Sequence, residues 1–221
     1  MYSHSNDNGP ASIHSKCPFT IEVQGDGTVD AAPDQAVVVL GAITEGPVLQ
    51  TAQNENAQIV TDIIESLLEL NIPKENIQTN DFRIEIQYDY KDGEQIFRGY
   101  KVTHLLQITI IKVEETGIVI DTAVSSGANT VTSVQFTLAD PAPYENEALT
   151  LAVRNARQKA ETIAAALRVN LAAVPCEVQE LPRAAGPIPF AAALQMQSAA
   201  TPIEPGQLTI AASVRVWYLF G

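Results

Sequence analysis

The spacing of hydrophobic positions changes several times along the chain, and each change marks a new element. Residues 36–43 are apolar almost without interruption, which is typical of a central strand covered on both faces. Residues 48–70 place apolar side chains every three or four positions, as on one face of a helix. Asn71 stands at the expected C-terminal cap and Pro73 prevents continuation, so a long helix should end near Leu70.

The next segment alternates strictly between apolar and polar residues. Every second residue from Phe82 to Tyr90 is apolar, which predicts a half-buried strand. Lys91-Asp92-Gly93 is a hairpin turn signal, and the return strand runs from Tyr100 to Ile110. His104 falls in the apolar series of this return strand, and we interpret it as a core or rim histidine that bonds to a neighbouring side chain.

A second series of elements follows. The pattern predicts a short helix over 114–125, a strand over 131–138 and a long helix over 144–167. One face of the long helix is a stripe of alanines, whose small side chains allow close approach to a sheet or to another helix. Two further strands are predicted over 172–181 and 208–220.

Together these elements predict an α+β fold, with two long helices packed on a mixed, largely antiparallel sheet. The order strand, long helix, strand, strand occurs twice, over about 34–111 and 131–220, which indicates a duplication at the level of pattern. Residues 1–16 have almost no apolar side chains and are expected to form a flexible tail. The folded domain should therefore cover 17–221.

A proline- and alanine-rich insertion over 182–205 separates the last two strands. Its five prolines disfavour a helix or a central strand, yet its apolar residues do not suit a solvated linker. The formal net charge of −13 opposes self-association, and Leu181 to Ile203 is the longest stretch without Asp or Glu that also carries large apolar groups. We therefore expect a subunit contact there. The candidate self-association residues are Ile188, Phe190, Leu194 and Met196.

The charge balance restricts the classes of partner. The 13 Lys and Arg residues stand against 26 Asp and Glu, and none of the 13 lies between Lys112 and Arg154. Because phosphate binding depends on basic side chains, nucleic acids and anionic membrane surfaces are disfavoured partners. No stretch approaches the ~20 apolar residues of a membrane-spanning helix, so no membrane insertion is expected.

Compartment is inferred from the N-terminus and the cysteines. The N-terminal segment has no apolar core of a signal peptide, which predicts a cytoplasmic protein. The two cysteines, Cys17 and Cys176, are interpreted as ordinary thiols, with a single bridge between them as the alternative.

Two motifs suggest ligand binding but lack the required context. Gly25-Asp26-Gly27 follows a strand, but a third glycine and a helix are missing, so a tight turn explains it better than a nucleotide loop. His4, His14 and Cys17 supply three metal ligands at most, fewer than the roughly four of a structural zinc site. We therefore expect no cofactor and no metal.

Catalytic groups are equally scarce. Glu85 and Asp89 share a strand face, but a solvated face explains them better than acid–base work does. His104 is the only histidine outside the N-terminal segment, and no nucleophile motif accompanies it. The sequence predicts no catalytic residue and hence no enzyme.

Several segments, in this order and spacing, resemble the SIMPL domain family over about residues 19–220. They read IEVQGDGTVDAAPDQAVV, NIPKENIQTNDFRIEIQYDY, GYKVTHLLQITI, IDTAVSSGANTV, ALTLAVRNARQKAETIAAAL and PGQLTIAASVRVWYLF. The chain departs from the family at His104, where a small amide is usual, and at Arg168, where glycine is frequent. The family has no agreed enzymatic activity and no settled functional motif, so the resemblance transfers no site. Many bacterial relatives are exported.

The leading hypothesis is therefore a non-enzymatic interaction or scaffold protein that self-associates, and we expect a homo-oligomer. The alternative is a small-molecule-binding module with a cleft near the 182–205 insertion. An enzyme with an unrecognised site is the least supported hypothesis.

Overall fold

The computed structural model describes residues 19–182, the backbone of 188–190, and residues 201–221. The strands are β1 (Thr20–Ala31), β2 (Gln35–Gly46), β3 (Ile77–Lys91), β4 (Glu94–Ile110), β5 (Thr130–Thr137), β6 (Glu177–Glu180), β7 (Ile188–Phe190) and β8 (Gln207–Leu219). The helices are α1 (Leu49–Glu69), α2 (Thr116–Ser125) and α3 (Ala142–Leu167). Short 3-10 turns cover Lys74–Asn76 and Val113–Glu115.

The described strands form two sheets. One has the order β3-β4-β2-β5, and every neighbouring pair in it is antiparallel. The other has the order β1-β8-β6, with β7 also pairing with β8. The predicted α+β class is confirmed, and its strands are divided between two sheets.

The contacts divide the chain into two compact units. The larger contains the described residues within 30–144 and 186–210, and the smaller those within 1–29, 145–185 and 211–221. The two proposed repeats do not each form a sheet of their own. Strand β5 of the second repeat pairs with β2 of the first, and β1 lies beside β8. The duplication stays a prediction.

The core of the larger unit lies between the helices α1 and α2 and one face of the β3-β4-β2-β5 sheet. As predicted, the apolar strand β2 is central, between β4 and β5. The fully buried side chains include Val38 and Leu40 of β2, Leu106 and Ile108 of β4, and Ile63 and Leu67 of α1. Helix α1 packs mainly on β2 and β4.

The end of α1 follows the expectation from sequence. Asn71 has a φ of 61°, in the left-handed region that asparagine tolerates better than most residues. Its N–H bonds to the carbonyl of Leu68 at 2.9 Å, and the N–H of Ile72 bonds to the carbonyl of Leu67 at 3.1 Å. The predicted helix stop is confirmed.

The turn between β3 and β4 is also as predicted. Asp92 and Gly93 both have positive φ, 54° and 86°, which is the geometry of the two-residue turn that matches the twist of a hairpin. Lys91 and Glu94 pair directly across it.

The segment between α2 and the edge strand β5 is attached to β2. The side chain of Asn129 accepts a hydrogen bond from the N–H of Ile43 at 2.8 Å and donates one to its carbonyl at 2.7 Å. Gly127 has a φ of 104°, and a Cβ there would lie 2.9 Å from Ile59 Cγ2. Gly127 and Asn129 therefore have structural roles that connect α1, α2 and β2.

In the smaller unit the Gly25-Asp26-Gly27 segment is not a turn, so this prediction is wrong. Strand β1 runs straight through it, and the alanine stripe of α3 packs against it. A Cβ on Gly25 would overlap the carbonyl oxygen of Ala152, and one on Gly27 would overlap that of Ala148. The glycines serve close helix–strand packing, and the predicted use of the alanine stripe is confirmed.

The chain after α3 is fixed by one arginine. The Nη1 of Arg157 donates to the carbonyls of Ala172 and Ala173, each at 2.9 Å, and its guanidinium lies 5.2 Å from the centre of the Tyr218 ring. Both carbonyls therefore accept hydrogen bonds from the arginine side chain. The strand predicted over 172–181 is shorter in the structure, where β6 covers Glu177–Glu180.

Two residues singled out in the sequence, Arg168 and Cys176, have structural outcomes in this unit. Arg168 ends α3 with a φ of 57°, a conformation in which glycine is less strained. Cys176 is disulfide-bonded, so its interpretation as an ordinary thiol is wrong. The sequence has one other cysteine, Cys17, which lies outside the described residues.

Ile63→Asp should unfold the protein or make it insoluble, whereas Asp62→Ala should be almost silent. Ile63 is fully buried, and an unpaired buried carboxylate costs several kcal/mol. Asp62 is exposed and accepts one bond from Gln58. Thermal melts of the two variants test the helical phase, which would be wrong if both melted alike.

Gly25→Ala should lower stability by about 1–3 kcal/mol, because the added methyl overlaps the backbone of α3. Gly46→Ala is the matched control, since its Cβ would meet Ala52 Cβ at an ordinary 3.7 Å. Urea unfolding of both variants measures the difference. Equal losses would contradict the close contact between β1 and α3.

Candidate functional site

The largest exposed apolar feature that we find in the described chain is one face of the β3–β4 hairpin. In β3 it comprises Phe82, Ile84, Ile86, Tyr88 and Tyr90, whose exposed fractions are 48%, 40%, 51%, 43% and 76%. Phe97 of β4, 48% exposed, lies opposite Tyr88. We call these six residues the hairpin face.

The hairpin face is the outward continuation of the core face of the sheet. Ile84 pairs with Val102, which is fully buried, and Phe82 pairs with His104, which pairs in turn with buried Ala42. Helix α1 packs on β2 and β4, so the β3 part of the same face is left exposed. The predicted alternation of apolar and polar side chains in β3 is therefore correct, but the prediction that its apolar side is buried is wrong.

Aromatic contacts order the hairpin face. The ring of Phe97 meets Tyr88 edge-on with centroids 6.4 Å apart, and it meets Tyr100 at 5.4 Å. T-shaped pairs of this kind add to the stability of a strand pair beyond simple burial. These contacts tie the aromatic rings of the hairpin face to one another.

His104 lies where the hairpin face joins the core. Its ring is 5.2 Å from that of Phe82, and its Nε2 shares a 3.3 Å hydrogen bond with the Thr79 hydroxyl. Burial lowers the pKa of His104, so the ring stays neutral at neutral pH and adds no charge to the apolar surface. The predicted rim histidine bonded to a neighbour is confirmed.

The opposite face of β3 carries the polar residues, from Asp81 to Lys91. Glu85 and Asp89 are both exposed there, as expected for a solvated strand face. The Nε of Arg83 lies 2.9 Å from a carboxylate oxygen of Asp81. Arg98 of β4 lies 4.0 Å from Asp89.

Strand β3 is at the edge of its sheet, and within the described ranges no strand pairs with its outer side. Its pairing with β4 has two irregularities, one between Thr79 and Asp81 and one between Gln87 and Tyr88. Asn80 is unpaired between Thr79 and Asp81, and the second shift leaves Arg98 unpaired on β4. From Asp81 to Lys91, β3 is therefore uninterrupted, and its outer N–H and C=O groups are open to a further strand.

The residues chosen from the sequence lie elsewhere. The backbone of Ile188 pairs with Thr209 and that of Phe190 with Gln207, so β7 lies beside the first residues of β8. Leu194 and Met196 lie outside the described residues. Their role in self-association stays a prediction.

The end of the insertion is attached to the larger unit. Thr201 donates from its N–H and its hydroxyl to the carboxylate of Asp121 on α2, at 3.0 and 2.5 Å. These bonds lower the pKa of Asp121. Ile203 packs against the core.

Two hollows formed by described residues have room for small molecules. The one beside the insertion is lined by Glu145, Glu180, Leu181 and Pro182. The other has a volume of about 330 Å³ and lies between the end of α1 and the end of β4, with Ile72 and Ile111 in its lining. The amine of Lys112 there is already paired with Glu115 at 2.8 Å.

Neither a metal centre nor a membrane span emerges from the described part of the chain. No three His, Cys, Asp or Glu side chains among these residues are grouped as metal ligands would be. None of the helices in this part is both long and apolar enough to cross a bilayer.

Three relatives are similar to most of this chain. The 26 kDa periplasmic immunogenic protein of Brucella melitensis is 30% identical over 179 residues, which cover 79% of this chain and 71% of the relative. The uncharacterized protein YggE of Escherichia coli K12 is 31% identical over 145 residues, 65% of this chain and 58% of the relative. YggE of Edwardsiella ictaluri is 26% identical, over 70% and 65% of the two chains.

The name of the Brucella protein places that relative in the periplasm. It points to export and overturns the expectation of a cytoplasmic protein. The disulfide at Cys176 agrees with this correction, because disulfides persist in oxidising compartments such as the periplasm.

The model of the SIMPL family, described as a protein of unknown function (DUF541), matches residues 21–218. The match covers both units and every described helix and strand at least in part. The chain therefore belongs to the SIMPL family.

Proposed function

We propose that this protein is a non-enzymatic scaffold of the periplasm that assembles with copies of itself through the hairpin face. The observation that carries the proposal is a contiguous exposed apolar surface on an edge strand whose outer side is unpaired in the described chain. Contiguous exposed apolar patches of this kind mark interaction surfaces more often than inert ones.

Burial of this surface supplies a driving force. Each large side chain contributes roughly 25 cal/mol for every Å² of its apolar surface that the second copy covers. Several such side chains lie on the hairpin face, and each copy of the protein brings the same set. The hydrogen bonds of an added strand would satisfy the outer backbone groups of β3 as well.

Charge does not oppose association at this surface. Residues 81–101 contain five acidic and four basic side chains, whereas the whole chain has 26 and 13. The hairpin is therefore close to neutral within a strongly acidic protein. A contact through the hairpin brings together nearly neutral parts of the two copies.

The periplasmic location is supported by the name of the Brucella relative and by the disulfide at Cys176. The non-enzymatic role is supported by one ion pair in the hollow between the ends of α1 and β4, where Glu115 holds the amine of Lys112. The insertion residues Ile188, Phe190, Leu194 and Met196 remain a second candidate contact.

Size-exclusion chromatography with light scattering should show an oligomer whose mass rises with protein concentration. Ile86→Asp should shift it to smaller species, because the carboxylate enters the centre of the hairpin face. Val131→Asp is the control, since Val131 is 43% exposed on β5, the other edge strand of the same sheet.

Two results would contradict the proposal. One is a monomeric wild-type protein at every concentration, and the other is an equal response to the two variants. Replacing 184–200 with a Gly/Ser linker tests the insertion separately, and the replacement stops before Thr201 and Ile203 because both are anchored to the larger unit. A metabolite screen that raised the Tm of a monomer would instead favour the small-molecule-binding alternative.

Reduction of the protein should lower its Tm by roughly 5–10 °C, because a disulfide contributes about 2–4 kcal/mol in a chain of this size. Melts with and without a phosphine reductant measure the change, and Cys176→Ser is the matched variant, in which the reductant should have no further effect. An unchanged Tm on reduction would remove this support for an oxidising compartment.

A further inference from the structure

We infer that two copies of this protein pair through β3, antiparallel, about a two-fold axis that passes beside Ile86. This inference rests on the proposed self-association and names its interface. It follows from the order of side chains along β3. When a second copy of this strand runs beside it in the opposite direction, apolar residues face apolar residues and opposite charges face each other.

The first requirement for such pairing is a regular strand. Between Asp81 and Lys91 the pairing of β3 with β4 has no extra residue on the β3 side, and Asn80 marks the irregularity just before it. Side chains therefore alternate strictly between the two faces over this stretch. Its outer side has no partner strand among the described residues.

The apolar side chains match when Ile86 lies opposite Ile86 of the second copy. Ile84 then lies opposite Tyr88 of the second copy, and Phe82 lies opposite Tyr90. Residues directly opposite each other in an antiparallel pair lie on one face of the sheet. All five apolar residues of β3 therefore lie beside apolar residues of the second copy, so their facing sides are buried at the seam while their outer surface forms one continuous exposed face.

The polar side chains match in the same register. Asp81 lies opposite Lys91 of the second copy, and Arg83 lies opposite Asp89. Each of these opposite-charge pairs occurs twice because of the two-fold axis. Glu85 lies opposite the neutral Gln87, so no like charges face each other anywhere in the pairing.

Neighbouring registers are less favourable. With the axis at Glu85, that carboxylate faces its own copy and Asp81 faces Asp89. With the axis at Gln87, Glu85 faces Asp89. Like charges directly opposite are destabilising.

A slip by a single residue is worse for another reason. It places each apolar side chain opposite a polar one and breaks the shared surface. The charges therefore select among the registers that the apolar alternation allows, and the axis at Ile86 is the one with two attractive pairs and full overlap from Asp81 to Lys91.

Charge reversal at Arg83 and Asp89 tests the register. Arg83→Glu faces Asp89 of the second copy with a like charge, and Asp89→Arg faces Arg83 with a like charge. Each variant alone should raise the dimer Kd by about tenfold or more. Asp89→Arg lowers the net negative charge, so general repulsion would predict tighter association, the opposite result.

An equimolar mixture of the two variants should restore association. A chain with Arg83→Glu then meets a chain with Asp89→Arg, and opposite charges face each other in both pairs. The double variant should likewise associate with itself. Lys74→Glu is the control, since it changes the net charge as Arg83→Glu does but lies outside β3. Light scattering gives the masses, and far-UV circular dichroism shows that each variant is folded.

The outcomes separate this inference from the proposed function. If the wild-type protein assembles but the single variants do so equally well, or if the mixture stays dissociated, pairing about Ile86 is wrong and self-association stands. If the wild-type protein is monomeric at every concentration, the proposed function fails together with the inference. Weakening by each variant and recovery in the mixture support the register.

Discussion

The packing of α1 on β2 and β4 determines what the larger unit buries and what it exposes. The sheet has four strands, and α1 packs chiefly on two of them. The residues of β4 that lie below α1, such as Val102 and Leu106, are buried, while Ile84 of β3, in the same row as Val102, is 40% exposed. The hairpin face is thus core-type surface that the chain does not cover with its own described elements.

The segments that carry the family resemblance mostly have structural roles in this fold. The glycines of β1 and the alanine stripe of α3 permit one close contact, in which Gly25 meets the backbone at Ala152. Asn129 closes the end of β2 through two bonds to Ile43. These parts of the resemblance are therefore explained by packing, and we seek function on the surfaces that packing leaves open.

Local patterns predicted the elements well, because helix caps and turn residues act over a few positions. The stop at Asn71 and the turn at Asp92 are examples. Burial of β3 was not predictable in the same way, since alternation shows which side chains share a face but not whether a helix covers it. The glycine segment of β1 was misjudged because its reason, the backbone of α3 at Ala152, lies more than a hundred residues away.

Hydrogen exchange at different protein concentrations tests most directly whether the exposed edge of β3 is covered by a second copy. The account predicts that amides between Asp81 and Lys91 become more protected as concentration rises, because added strand pairing closes their outer side. Amides of β5, the other edge strand of the sheet, should not change. Protection of β3 that is independent of concentration, in a protein whose mass does increase, would contradict the account.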